Sequence, residues 1–133
     1  MKKPEISLRV PARREYALVL RLALGGVAIL KDLDAGTLDD LRQASDEACD
    51  CLLHQSREAQ WLELLVEDCG EKLQVSLSAE FSPETADEDC RDETEISRAV
   101  LETLAPRVTL QKAACGCIGR IDLTLPKAVR MEA

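Results

Sequence analysis

The residues best suited to chemistry lie near the middle of the chain, at helical spacing. Glu47, Cys51 and His54 are separated by four and three residues, and His54 is the only histidine. On a helix, all three would share one face. A carboxylate, a thiolate and an imidazole can together hold a divalent metal. A surface carboxylate and a histidine near a helix C-terminus, where positive charge suits the helix dipole, explain the same residues without a site. The sequence favours this second interpretation.

Six cysteines form a second set of reactive groups: Cys49, Cys51, Cys69, Cys90, Cys115 and Cys117. Their two C-x-C pairs lack the C-x2-4-C spacing of structural zinc sites. Cys49 and Cys51 would also lie about 200° apart on a helix. The start of the chain has no signal-peptide pattern, and no apolar run reaches the roughly 20 residues of a membrane span. We therefore expect a cytoplasmic protein with reduced, buried thiols and no metal site.

Composition limits the class of protein. A chain of 133 residues with 46% hydrophobic and 32% charged residues is expected to form one globular domain over 1–133. Aromatic residues make up only 2%, so the core must be built from aliphatic side chains. Trp61 is the only tryptophan, and we expect it to pack in the core or at the sheet edge; the alternative is a role at a protein interface, where Trp is enriched. The net charge of -8 argues against nucleic-acid binding and permits a basic protein partner.

The hydrophobic periodicity predicts the order β-α-α-β-β-α-β-β, a two-layer α/β sandwich. A strand over 6–10 precedes a helix from about Arg13 to Leu30. A second helix has Thr37 as its N-cap and ends near His54. The later elements are expected at 61–66, 73–77, 96–104, 108–111 and 118–125. Between the third and fourth strands, an acidic stretch over 82–95 that contains Pro83 predicts a surface loop.

The first predicted helix has more apolar surface than contact with one sheet requires. Its main apolar stripe is formed by Tyr16, Leu20, Ala23 or Leu24, and Val27, and the stripe is widened by Leu18, Leu22 and Ile29. Such a helix can cover a sheet and also contact a partner or a second copy.

On these elements, the sequence resembles the RsbW/SpoIIAB-type anti-sigma factors, which are serine kinases with the histidine kinase-like (GHKL, or Bergerat) ATPase fold. The resemblance covers about residues 5–127 and is closest in the two helices. It rests on Val10-Pro11-Ala12, Glu15-Tyr16, the segments 21–28 and 38–41, and Asp46-Glu47-Ala48-Cys49. It implies a mostly antiparallel mixed sheet with helices on one face, and a loop over 82–95 at the position of the family's nucleotide lid.

The resemblance also assigns roles to residues of the nucleotide site. Glu47 stands where the family activates or positions its nucleophile, and Cys51 stands where an Asn oxygen binds Mg2+. A thiol is a poor ligand for this hard ion. Ala79 replaces the Asp that accepts a hydrogen bond from adenine, and Phe81 replaces a glycine that leaves room for the nucleotide.

The lid-like stretch departs from the family as well. The chain has no glycine between Gly70 and Gly116, whereas the family's lid is glycine-rich. The stretch instead carries seven acidic residues, which repel phosphate. Together with the other replacements, this predicts that ATP and Mg2+ are no longer bound.

The sequence therefore indicates a degenerate anti-sigma-factor-like regulator, a pseudo-ATPase that binds a sigma factor or an anti-sigma antagonist. The resemblance also implies a homodimer, because the family dimerises. The first helix supplies the candidate partner contacts, which are Arg14, Leu18, Arg21 and Leu22. The acidic loop over 82–95 is the second candidate surface, an electrostatic docking arm for a basic partner. The alternative is an active ATP-dependent serine/threonine kinase with an atypical site and Glu47 as its catalytic residue.

Overall fold

The structure is a computed structural model that describes residues 4–54, 58–81, 95–104, 107–112 and 117–126. The predicted order of elements is confirmed. The elements are β1 (Ile6–Pro11), α1 (Arg14–Leu30), α2 (Ala35–Leu53), β2 (Ala59–Asp68), β3 (Lys72–Phe81), α3 (Glu95–Leu104), β4 (Arg107–Lys112) and β5 (Ile118–Pro126). Most of the acidic stretch predicted as a loop, residues 82–94, lies outside the described residues.

The strands form one five-stranded sheet in the order β1-β2-β3-β5-β4. All four pairings are antiparallel, so the prediction of a mostly antiparallel sheet is confirmed. A parallel pair, which a mixed sheet would contain, is not found among the described strands. The β2–β3 hairpin turns at Gly70, whose φ of 87° favours glycine. The Gly70 N–H donates to the Asp68 carboxylate at 2.9 Å.

One face of the sheet forms the core with the three helices. Alternate residues of each strand point to this face, as the period-2 pattern requires. The fully buried large side chains on the strands are Leu62, Leu64, Leu73, Leu77, Ile118, Ile121 and Leu123. They meet Leu20 and Leu24 of α1, Leu41 and Leu52 of α2, and Leu101 of α3. The two-layer sandwich is therefore held together by aliphatic packing.

The opposite face of the sheet carries a polar network centred on Asp122. The hydroxyl of Ser76 and the Nε of Arg120 donate to one oxygen of this carboxylate, at 2.6 and 2.8 Å. The amide of Gln111 donates to the other oxygen at 3.0 Å. Ser76 is 5% exposed, and these bonds satisfy its hydroxyl. The network therefore joins β3, β5 and β4 across the face that the helices do not cover.

Helix α2 begins earlier than predicted, so the prediction of Thr37 as its N-cap is wrong. The N-cap is Asp34, whose side chain accepts a hydrogen bond from the backbone N–H of Thr37 at 2.7 Å. Asp and Thr are both favourable N-cap residues. The helix starts after Asp34 because the carboxylate of Asp34 accepts the hydrogen bond from the backbone N–H three residues later. This hydrogen bond also lowers the pKa of the Asp34 carboxyl below its usual value.

We expect the Asp34→Ala variant to have a Tm a few degrees lower near neutral pH, because the cap is lost. The folded-state pKa of Asp34 is depressed, so its contribution is present above the unfolded pKa and disappears as pH falls through the folded pKa. The Tm difference should therefore shrink in acid. Calorimetry over a pH series measures it, and Asp34→Asn, which caps without titrating, is the matched control. A difference that stays constant with pH would contradict the assignment.

Candidate functional site

Helix α2 carries the two residues that the sequence assigns to catalysis and metal binding, but it places them in different surroundings. Cys51 is 7% exposed and belongs to the hydrophobic core. Glu47 is half-buried, and its carboxylate has no hydrogen bond or ion pair with any described residue. Cys51 and Glu47 are thus one helical turn apart, but Cys51 lies in the core and the Glu47 carboxylate is only half-buried.

The Mg2+ position of the resembled family does not fit the ion here. Mg2+ requires oxygen ligands in an octahedral arrangement, whereas the Cys51 thiol is soft and enclosed by aliphatic side chains. His54 is exposed at the C-cap of α2. Within the part of the chain that the structure describes, no group of three His, Cys, Asp or Glu side chains could hold a metal. Glu47, Cys51 and His54 therefore do not assemble as metal ligands.

The position that the resembled family uses for adenine corresponds to the end of β3. Ala79 pairs with Leu62 of β2 and packs against the edge of the core. Its methyl group cannot accept a hydrogen bond from an amino group. Phe81, opposite Ala59, is half-buried and is not among the side chains that pack on the core. The expectation that adenine is not bound therefore depends on Ala79, because the ring of Phe81 does not pack on the core below α2.

An ion pair links α1 to α2 beside Glu47. The Nε and terminal nitrogen of Arg21 lie 2.9 and 2.7 Å from one oxygen of Asp46. The two side chains are 41% and 43% exposed, so the pair contributes at most about 1 kcal/mol to stability. Arg21, a candidate partner contact, is thus already paired within the chain. The sequence gives no signal for this pairing, because 25 residues separate the two side chains.

The outer face of α1 is apolar and uncovered in the described chain. Leu18, Leu22, Ile29 and Leu30 are 54%, 67%, 74% and 76% exposed. At about 100° per residue, Leu18, Leu22 and Ile29 fall within about 40° of one another on the helix, and Leu30 lies about 80° beyond Leu22. The opposite face is buried by Leu20, Leu24, Val27 and Ala28, as the stripe predicts. Tyr16, the first residue of the predicted apolar stripe, is 36% exposed, so the buried part of the stripe begins at Leu20.

Comparison with known proteins relates this geometry to a class of regulators. No family model matches the chain. Two curated relatives are 34% identical to it over 74 residues, which is 56% of this chain and 44% of each relative. Both are named anti-sigma-F factor RsbW and come from two strains of Mycobacterium tuberculosis. The chain thus matches less than half the length of these relatives.

A solved structure extends the likeness to the fold. The structure of the RsbU and RsbW domains of Rv1364c from Mycobacterium tuberculosis superposes with a TM-score of 0.69. The superposition covers 98% of this chain and 35% of that chain, at 14% identity. The resemblance to RsbW-type anti-sigma factors is confirmed. At this low identity the solved structure shows the fold alone, and it agrees with the predicted two-layer sandwich.

The RsbW-like chain has no helix, among its described residues, that is long and apolar enough to cross a membrane. The roles of Glu47, Cys51, Ala79 and Phe81 remain predictions from the resemblance. The same holds for the partner contacts on α1.

The four cysteines that the structure describes fall into three kinds of environment, and Cys90 and Cys115 lie outside the described residues. Burial, then the nearby Asp46 and Asp50 carboxylates, raise the pKa of Cys49 to about 12. Cys51 is also buried, and Cys69 is exposed at the β2–β3 turn. None of these three is in a disulfide. Cys117 is disulfide-bonded, so the expectation that all thiols are reduced is wrong for this residue.

We expect alkylation of the native protein by iodoacetamide to modify Cys69 and to spare Cys49 and Cys51. Since the thiolate is the nucleophile, raising the pH to about 9 should still leave Cys49 unmodified. Peptide mapping by mass spectrometry identifies each modified residue. Unfolding in guanidinium chloride is the control and should expose all three. Rapid native modification of Cys49 would contradict its described burial.

Proposed function

We propose that this chain is a degenerate anti-sigma-factor-like regulator that binds a protein partner and has lost its nucleotide. The partner we propose is a sigma factor or an anti-sigma antagonist. The likeness to proteins named anti-sigma-F factor RsbW supports the regulatory role. The observation that carries partner binding is the uncovered apolar face of α1.

The α1 face supports a protein partner because none of the residues that the structure describes covers it. A helix on a sheet normally carries polar residues on its outer side. Here the outer side is apolar from Leu18 to Leu30. Gly26 lies on this side, and the space where a β-carbon would stand is open. A glycine at this position allows another backbone to approach closely. A contiguous apolar patch of this kind is typical of a protein–protein contact, with a partner or with a second copy in a homodimer.

The loss of nucleotide is supported by the chemistry of two replacements. Cys51 offers a buried thiol in place of an oxygen ligand, and Ala79 offers a methyl in place of an acceptor. Each lost interaction in a buried site costs roughly 2–4 kcal/mol. A site with millimolar affinity has only about 4 kcal/mol of binding free energy to lose. We therefore assign no catalytic step to Glu47 in this proposal.

The alternative function is an active ATP-dependent serine/threonine kinase. One observation favours it: Glu47 is half-buried, and its carboxylate has no partner among the described residues. A carboxylate without a hydrogen-bond or ion-pair partner is available to accept a proton. This is the role that the resembled family gives to the residue at this position.

Isothermal titration calorimetry with ATP and Mg2+ separates the two functions. We expect no saturable heat from the wild-type chain up to millimolar nucleotide. The Cys51→Asn/Ala79→Asp variant restores both family side chains. It is titrated in the same way for comparison with the wild type, after circular dichroism has shown that it is folded. Micromolar binding by the wild type would overturn the pseudo-ATPase proposal and support the kinase.

A second experiment tests the α1 face. Leu22→Asp should weaken binding of the cognate sigma factor or antagonist by about ten-fold or more, because it places a charge within the apolar contact. Val100→Asp, on an exposed apolar residue of α3, is the matched control and should bind normally. Surface plasmon resonance with the purified partner measures both. Equal affinities of the two variants would remove α1 from the interface.

A further inference from the structure

A groove lies where β1 enters α1 and where α2 leads into β2. It consists of two adjoining cavities. The larger, about 600 Å3, has Arg13 and Trp61 in its wall, and the smaller, about 240 Å3, has Arg14 and His54. Both cavities are lined by Ala12, Glu58 and Ala59. Because these shared residues join the two cavities, we treat them as one surface and call it the terminal groove.

The terminal groove is basic, although the whole chain carries a net charge of -8. Arg13 and Arg14 are exposed, and neither guanidinium has an ion-pair partner among the described residues. His54 is also exposed there, and Glu58 is the one carboxylate in the described lining. By contrast, Arg9 and Arg21 are both paired with carboxylates. Two adjacent guanidiniums without a partner among the described residues can each donate two parallel hydrogen bonds to a carboxylate.

The stability of α1 does not explain these arginines. Arg13 is the N-cap of α1 and makes no side-chain cap, although Ser, Thr, Asp and Asn are the residues that stabilise this position. Arg14 follows as the first helical residue, where a positive charge opposes the helix dipole. Neither side chain therefore stabilises the start of α1, where Glu15 is the residue whose charge suits the dipole. An anionic group bound here would interact favourably with both arginines and with the helix dipole.

We propose that the terminal groove binds an acidic segment of a protein partner, with its carboxylates on Arg13 and Arg14. This inference rests on the proposed function in taking the occupant to be a protein, and it adds the chemistry of the segment. Arg14, Leu18 and Leu22 follow at intervals of four residues and therefore form one row on α1. The segment that fits is acidic at one end and apolar where it continues along this row.

Trp61 makes the groove directly observable, because it is the only tryptophan and it is 39% exposed. The guanidinium of Arg9 lies 4.8 Å from its ring centre on the open face of the sheet. The probe is the octapeptide Glu-Glu-Glu-Ser-Leu-Ser-Ser-Leu, acidic at one end and apolar towards the other, titrated while Trp61 fluorescence is recorded. The same peptide with Gln for Glu, and inorganic phosphate alone, are the two ligand controls. We expect saturable binding of the acidic peptide only.

The variants test the two arginines. Arg13→Ser/Arg14→Ser should weaken peptide binding by about ten-fold or more, since two charge-assisted contacts are lost. Arg42→Ser/Lys72→Ser removes the same charge from exposed residues outside the groove and should change affinity by less than about two-fold. The groove variant should also have a Tm a few degrees higher than the wild type, because serine caps α1. Arginines with only a structural role would lower the Tm instead.

Several results would overturn the inference: no fluorescence change with the acidic peptide, equal binding of the Gln peptide, saturation by phosphate alone at the same affinity, or equal losses in both double variants. Its failure can be distinguished from failure of the proposed function. If the groove variant still binds the sigma factor or antagonist normally and the peptide does not bind the wild type, only the groove assignment is wrong. If ATP and Mg2+ bind while the peptide also binds at Arg13 and Arg14, only the pseudo-ATPase proposal is wrong.

Discussion

Aliphatic packing between one face of the sheet and the helices determines where every other feature lies. With almost no aromatic residues available, the core is filled by leucine, isoleucine and valine from β2, β3 and β5. Helix α2 contributes Leu41 and Leu52 together with the small residues Ala44 and Ala48, which let its backbone approach neighbouring elements closely. Because α2 is fixed by these buried residues, the positions of Glu47 and Cys51 follow from the packing.

This packing explains why Cys51 bears on the fate of the nucleotide site. Residues four apart on a helix are offset by about 40°, so they share a face without sharing an environment. At this point on α2 the offset separates the half-buried Glu47 from Cys51 in the core. A thiol stabilises an apolar core as a small hydrophobic residue, whereas an amide there needs hydrogen-bond partners. The replacement is thus compatible with the fold and unfavourable for a hard metal ion.

The sequence predicted the elements well, because each follows from local periodicity. The stripe of Leu20, Leu24 and Val27 and the alternation in β5 required no knowledge of tertiary contacts. Errors arose where local patterns leave a choice. Asp34 competed with Thr37 as a cap. A helix that is apolar nearly all round also leaves open which of its apolar residues, such as Tyr16, stay exposed. Trp61, expected in the core or at the edge, is exposed beneath Arg9.

The candidate surfaces were harder to predict because tertiary contacts create them. The Arg21–Asp46 pair joins two helices, and the terminal groove brings the start of α1 next to the end of α2. Neither juxtaposition leaves a pattern in the sequence. Once the chain is folded, the exposed leucines of α1 and the unpaired arginines at its start lie along one helix. Each feature is unfavourable for an isolated domain, the first for solubility and the second for helix stability. A single partner that covers the leucines and neutralises the arginines relieves both costs, whether or not the neighbouring site on α2 holds a nucleotide.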